Sequence, residues 1–185
     1  MFTREYGAAP VRILVIDDDS LVLEFLQDGI KHVLPECIVE TTSSPRWAMQ
    51  CLCIDDYHVV LSDIEMPEMT GIELMRQAME RRPAPTCVLM TGDSTWLPLA
   101  VDAGAFACIP KPVELDLLGT VLRHAVDFNF LQQRIERSRQ VLALQTRMTN
   151  EYCEQYQERT VGIERRMAEM RQKEIDEVTA VWAWH

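Results

Sequence analysis

Two rhythms of apolar residues alternate along the first 127 positions of this chain. Ile13-Leu14-Val15-Ile16, Val59-Val60-Leu61 and Cys87-Val88-Leu89-Met90 are unbroken apolar runs, the pattern of strands covered on both faces. Between them apolar residues recur every three or four positions, as in Leu21, Val22, Phe25, Leu26, Ile30 and Val33. The pattern predicts strands over Arg12–Ile16, Cys37–Thr42, a run ending at Asp63, Thr86–Met90 and Phe106–Ile109. Helices are predicted over Ser20–Val33 with Asp19 or Ser20 as N-cap, from Ser44-Pro45 through Cys53, and from Gly71 to about Arg82, where Pro83 and Pro85 stop it. A short helix follows near Leu97, since Pro98 would break one begun at Ser94, and it ends before Gly104. Val113 opens the last. Strand and helix alternating in this way predict an α/β domain, a doubly wound parallel sheet with helices on both faces, because each right-handed crossover needs a covering helix.

From about Asp127 the rhythm changes. No proline follows Pro112, Gly162 is the only glycine after Gly119, and Gln, Arg and Glu dominate. That composition predicts one long helix over 128–185 rather than a second globule. Phe128, Leu131, Ile135, Leu142, Tyr152, Tyr156, Ile163, Met167 and Met170 keep an approximate 3–4 spacing. Ser138, Gln145 and Thr149 interrupt it, and the phase slips between Tyr152 and Ile163, so a coiled coil is expected without a fixed register. Pairing with a second copy is the simplest way to cover such a stripe, and a homodimer is the expectation.

Charge narrows the function classes. The net charge is −11, yet residues 128–185 hold 9 acids and 9 bases, so the excess lies in the first 127, with 20 acids against 9 bases. Such a domain repels phosphate backbones, and no basic stripe for nucleic acid is present. The six cysteines fit neither a CxxC pair nor a metal-site spacing, and read as free thiols in a reducing compartment. Met1-Phe2-Thr3-Arg4-Glu5-Tyr6 lacks a signal-peptide core and no apolar run is long enough to span a bilayer, which predicts a cytoplasmic protein with no membrane partner.

The candidate chemistry lies where the strands run out. Asp17-Asp18-Asp19 follows the first, Asp63 ends the third, Thr91-Gly92 follows the fourth and Pro110-Lys111-Pro112 the fifth. In open parallel sheets ligands gather outside the carboxyl ends of the strands. Asp17, Asp18 and Asp63 together would repel one another unless a cation lay between them or one stayed protonated. A hard divalent ion such as Mg²⁺ resolves the conflict, and an aspartate there can attack a phosphoryl group, with Lys111 and the Thr91 hydroxyl facing it.

Ile-Leu-Val-Ile-Asp-Asp-Asp (13–19), Ser-Asp-Ile-Glu-Met-Pro-Glu-Met-Thr-Gly (62–71), Leu-Met-Thr-Gly (89–92) and Pro-Lys-Pro (110–112), in this order, resemble the receiver domain of two-component response regulators. The resemblance runs from roughly Val11 to Asp127 and implies a phospho-acceptor receiver over 1–127, a five-stranded flavodoxin-like sheet of order 2-1-3-4-5. It implies Asp63 as phospho-acceptor, Asp17 and Asp18 as the Mg²⁺-holding acids with the Glu65 carbonyl completing the shell, Thr91 as the switch hydroxyl and Lys111 as the phosphate contact. A histidine kinase or phosphotransfer protein is the implied partner. Receivers usually carry Tyr or Phe three residues before the lysine; here Cys108 stands there, and Phe106, on the same face by strand alternation, is the candidate replacement.

Two other readings compete. A Mg²⁺-dependent phosphohydrolase would use an aspartyl phosphate with two acids two apart, as Asp17 and Asp19 are, although the Met-Pro-x-Met-x-Gly loop argues against it. A non-switching receiver, used for docking and dimerisation, is favoured by Cys108, while the intact acids and Lys111 weigh against it. On the leading reading the protein is not an enzyme for outside substrates. His32, His58 and His124 show no ligand spacing and read as structural, and Trp182, Trp184 and His185 as packing or interface residues. No helix stop precedes His185 and no output domain follows Asp127, which leaves either the helix as output or a chain cut before an effector.

Overall fold

The computed structural model describes residues 10–182, with side chains as far as 173. The leader through Tyr6, Trp184, His185 and the Trp182 side chain lie outside the described residues. In order, the elements are β1 (Arg12–Ile16), α1 (Ser20–Val33), β2 (Ile38–Thr42), α2 (Pro45–Ile54), β3 (Val59–Asp63), α3 (Gly71–Met79), β4 (Thr86–Thr91), α4 (Trp96–Asp102), β5 (Ala107–Pro110) and α5 (Leu115–Trp182). All strand pairs are parallel, in the order β2-β1-β3-β4-β5. Register brings the strand ends level: Ile16 lies opposite Ser62, Asp63 opposite Met90, and Thr91 opposite Pro110.

Alternation along the strands builds a core on each face. Ile13 and Val15 enter a cluster with Leu26 and Ile30 of α1 and Leu118 and Leu122 of α5. Leu14 and Ile16 enter the opposite one, with Leu52 of α2, Leu74 of α3 and Ala100 of α4. Each such fully buried aliphatic side chain contributes about 1.5–3 kcal/mol through lost water contact, so these clusters supply a stiff base beneath the strand ends. His58, just ahead of β3, is structural as expected. Its Nδ1 accepts from the Arg12 N–H at 3.1 Å and its ring centroid lies 5.0 Å from that of Phe130.

Several boundaries differ from the sequence expectation. β2 begins at Ile38 rather than Cys37, where the Ile38 N–H meets the Val11 carbonyl at 2.8 Å. α3 stops at Met79 and not near Arg82, because Pro83 disfavours helical backbone at Arg82. α4 begins at Trp96, which puts Pro98 third in the helix; the N–H groups of a first turn have no intrahelical partner, so the proline removes nothing there. β5 is shifted by one residue, and Phe106 precedes it. The last helix starts at Leu115 rather than Val113.

α5 is also continuous for 68 residues, so the final helix of the domain and the long helix expected after Asp127 are one element. By contacts the chain divides into residues 1–134 and 135–185. In the first unit α5 buries Leu118, Leu122, Ala125 and Val126. In the second, Ile135, Leu142, Tyr152, Tyr156, Ile163, Met167 and Met170 are all exposed, while Arg147–Glu151 and Arg165–Glu169 form ion pairs one turn apart at 3.0 and 3.1 Å. All six cysteines are free. Among the described residues no helix is long and apolar enough to cross a membrane.

Candidate functional site

The carboxyl edge of the sheet gathers the residues that the sequence singled out there. Asp17, Asp18 and Asp63 present carboxylate oxygens that all lie within 4.8 Å of one another. Asp17 is wholly buried and Asp63 nearly so, while Asp18 is exposed at the mouth. Asp17 is fixed through both oxygens: Oδ1 accepts from the Asp19 N–H at 3.0 Å, and Oδ2 from Lys111 Nζ at 2.8 Å. Nζ also lies 3.1 Å from Asp63 Oδ1, in ion-pair range but off the line of a hydrogen bond, and that buried oxygen has no donor in hydrogen-bond geometry.

Local structure explains the placement. The Asp19 carboxylate caps α1 by accepting from the Leu21 N–H at 2.8 Å, which turns the chain sharply after β1 and leaves Asp17 facing the rim. Lys111 is set by its own N–H, which donates to the Thr91 carbonyl at 2.7 Å and extends the ladder past β5. Behind Asp63, the loop returns to the strand at Gly71, whose N–H donates to the Ile64 carbonyl at 3.0 Å. A Cβ on Gly71 would overlap the Asp63 carbonyl. Thr70 and Glu73 then form a capping box that starts α3.

Three carboxylates facing one ammonium leave the rim with excess negative charge. Burial pushes the Asp63 carboxyl above its ordinary pKa and the nearby Asp17 adds to this, against the pull of Lys111. Burial alone would lower the Lys111 pKa; Asp17 and Asp63 together outweigh it and hold the ammonium above its usual value. Hard oxygen donors, an orphaned buried carboxylate oxygen and uncompensated charge are what a small divalent cation requires, so the residues fit Mg²⁺.

Thr91 is at the rim and buried, but its hydroxyl is turned to Asp93: Oγ1 donates to the Asp93 carbonyl and accepts from the Asp93 N–H, both at 3.0 Å. Glu65, whose backbone carbonyl is the expected ligand, lies two residues past Asp63 with its side chain exposed. Phe106 does not replace the aromatic absent at Cys108. Because Phe106 lies outside β5, strand alternation does not govern it; its ring packs on Phe128 of α5, 5.2 Å between centroids, whereas Cys108 packs on the side of α3 and α4. Gly71 and Asp93 carry positioning roles that the sequence reading did not give them, whereas Asp19 is the N-cap that it offered for α1. The sequence signal for Gly71 was its place at the end of the Pro67 loop; the Asp93 contacts left none.

A family model for the response regulator receiver domain matches residues 13–123. The chain belongs to this family. A receiver domain protein from Clostridium thermocellum superposes with a TM-score of 0.61 at 26% identity, covering 66% of this chain and 98% of that one. A CheY-like receiver from Methanospirillum hungatei JF-1 does so with 0.61 at 25%, covering 67% and 99%. Among curated proteins, the DNA-binding transcriptional regulator NtrC of Escherichia coli (strain K12) is 31% identical over 125 residues, 66% of this chain and 26% of that protein. A protein-glutamate methylesterase/protein-glutamine glutaminase of Bradyrhizobium diazoefficiens is 33% identical over 105 residues, 55% of this chain and 29% of that one. The chain thus spans just over a quarter of the length of these curated relatives, and what is common to them is the receiver. Aspartate phosphorylation within two-component systems is typical of that family, and the sheet order here is the receiver order.

Proposed function

We propose that this receiver accepts a phosphoryl group on Asp63 from a histidine kinase or phosphotransfer protein, in a Mg²⁺-dependent reaction, and signals through its C-terminal helix. The observation that carries the reading is the single ammonium of Lys111 lying between Asp17 and Asp63, with Asp18 beside them. In the transfer, an Asp63 carboxylate oxygen forms a new bond to phosphorus as the phosphorus–nitrogen bond of a phosphohistidine breaks, and the freed imidazole nitrogen takes up a proton from water. Lys111 neutralises charge on the incoming group, and the Thr91 hydroxyl, once released from Asp93, donates to one of its oxygens. Asp17 holds Lys111 in place. Mg²⁺ on Asp17, Asp18, Asp63 and the Glu65 carbonyl would offset the carboxylates and the phosphoryl oxygens together. The protein is a phospho-acceptor that acts on no outside substrate.

The exposed stripe from Ile135 to Met170 supports pairing of two copies of the helix as a coiled coil, on the division of a receiver over 1–127 and a helical segment over 128–185. An acidic domain without a basic face supports no direct nucleic-acid contact, and a cytoplasmic setting suits the free thiols. The phosphohydrolase alternative loses its second acid, since Asp19 is spent on the α1 cap and stands outside the carboxylate cluster.

The test is incubation of the full chain with Mg²⁺ and beryllofluoride, followed by bound-beryllium stoichiometry and molar mass by light scattering. One beryllofluoride per chain, lost in Asp63→Asn, on a dimer that Leu142→Glu weakens, is expected. No binding to the wild type would favour the non-switching docking reading.

A further inference from the structure

The Asp93 carbonyl is shared. It accepts from the Thr91 hydroxyl at 3.0 Å and from the Trp96 N–H at 3.1 Å, and Trp96 is the first residue of α4. Thr95, at the N-cap position, makes no side-chain cap bond, so the entry to α4 is held by this turn together with the Leu97 N–H donating to the Ser94 carbonyl at 3.2 Å. The Asp93 carboxylate adds one bond, from the Thr95 N–H at 2.9 Å. Thr91 therefore braces the start of α4 from inside the rim.

A threonine hydroxyl carries one hydrogen. When it donates to a phosphoryl oxygen on Asp63 it no longer donates to Asp93, and rotation of the side chain takes Oγ1 away from the Asp93 N–H as well. Both bonds are lost together, and the turn that carries Trp96 is released. Trp96 is half-buried at the edge of the core cluster on the α3–α4 side, the cluster whose fringe also holds Cys108 and Met69. Tyr57, the other aromatic of that cluster, precedes β3 and is tied to Glu40 at 2.8 Å, while Phe106 is engaged with Phe128.

We propose that Trp96 carries the state of Asp63 to the α4 surface through the Asp93 carbonyl it shares with Thr91, in place of an aromatic side chain on β5. The inference rests on Asp63 being the phospho-acceptor.

The test uses the full chain labelled with 5-fluorotryptophan, treated with Mg²⁺ and acetyl phosphate, with the phosphorylated fraction read by intact mass on the same sample. Trp96→Phe assigns the resonance, and Trp47 on α2 serves as internal reference. The Trp96 fluorine resonance should move in step with the phosphorylated fraction. Scaled to the phosphorylated fraction each variant reaches, however small, the shift should vanish in Thr91→Ala and return in Thr91→Ser, and Phe106→Leu should leave the response intact. A phosphorylated wild type whose Trp96 resonance does not move, or a Thr91→Ala chain in which it still moves, overturns the inference. Absence of any mass increase removes the phospho-acceptor reading itself, and the inference with it.

Discussion

Lys111 Nζ and Asp17 Oδ2, 94 residues apart along the chain, meet at 2.8 Å, with Asp63 Oδ1 3.1 Å from the same nitrogen. One ammonium is thus asked to balance two buried carboxylates, and the remaining charge is left for a cation and for the chemistry of the rim.

Replacing Lys111 by Met leaves Asp17 and Asp63 facing each other without a counter-charge. The cost should be about 2–3 kcal/mol of stability, below the full penalty of breaking a buried pair because the Lys111 side chain is 25% exposed and water can take its place. Chemical denaturation with and without Mg²⁺ measures this. Mg²⁺ should recover part of the loss in the variant, and Asp63→Asn in the same background should recover more.

Gly71→Ala would drive a methyl group into the Asp63 backbone. Because the obstacle is main chain rather than a flexible side chain, it must be relieved by moving the loop or the strand end. A loss on the order of 2 kcal/mol is expected, with slower phosphorylation from acetyl phosphate, whereas Gly92→Ala, whose Cβ would meet nothing, should change stability little. Paired melting curves and rate measurements decide.

Much of this was legible in the residues. Short, β-branched continuous runs such as Ile13 to Ile16 suit a covered strand, and the polar residues that follow them mark the sheet edge, so the strand ends and the chemistry on them were found together. The long helix was read from its missing prolines and glycines, although its fusion with α5 was not, since a change of composition near Asp127 says nothing about a break in hydrogen bonding. Phe106 was placed on the wrong side because a two-residue period holds only within a strand, and Phe106 precedes β5 and finds Phe128 on α5. The Gly71 approach and the Thr91–Asp93 bonds depend on backbone positions that residue spacing does not encode.

His58 is partly buried, and that burial holds its imidazole below the ordinary value of 6.5. A folded pKa below the unfolded one means that protonation favours the unfolded chain, so this contribution is complete above about pH 6.5 and is lost as pH falls through the folded value. His58→Asn keeps an acceptor for the Arg12 N–H but cannot charge. Its stability at pH 7 should be lower by about 1 kcal/mol for the lost ring contact with Phe130, and its melting temperature should fall less steeply than that of the wild type between pH 7 and pH 5.

Asp63 runs in the opposite sense. With its pKa raised, mainly by burial, its charge opposes folding, an effect fully present above the raised value and removed on acidification. Asp63→Asn should therefore stabilise the domain at neutral pH, on the order of 1 kcal/mol, since Lys111 keeps Asp17 as a partner. The same shift predicts that, without Mg²⁺, the Asp63 carboxyl followed by carbon-13 NMR against pH titrates above the ordinary carboxylate range.

The central claim is that Asp63 is the residue that takes the phosphoryl group. It is tested most directly by treating the full chain with Mg²⁺ and acetyl phosphate, reducing the acyl phosphate with borohydride, and locating the resulting homoserine by peptide mass mapping. The account predicts conversion at Asp63 alone, and none in Asp63→Asn. Conversion at Asp17 or Asp18 instead, or an unmodified Asp63 in the folded wild type, would contradict it.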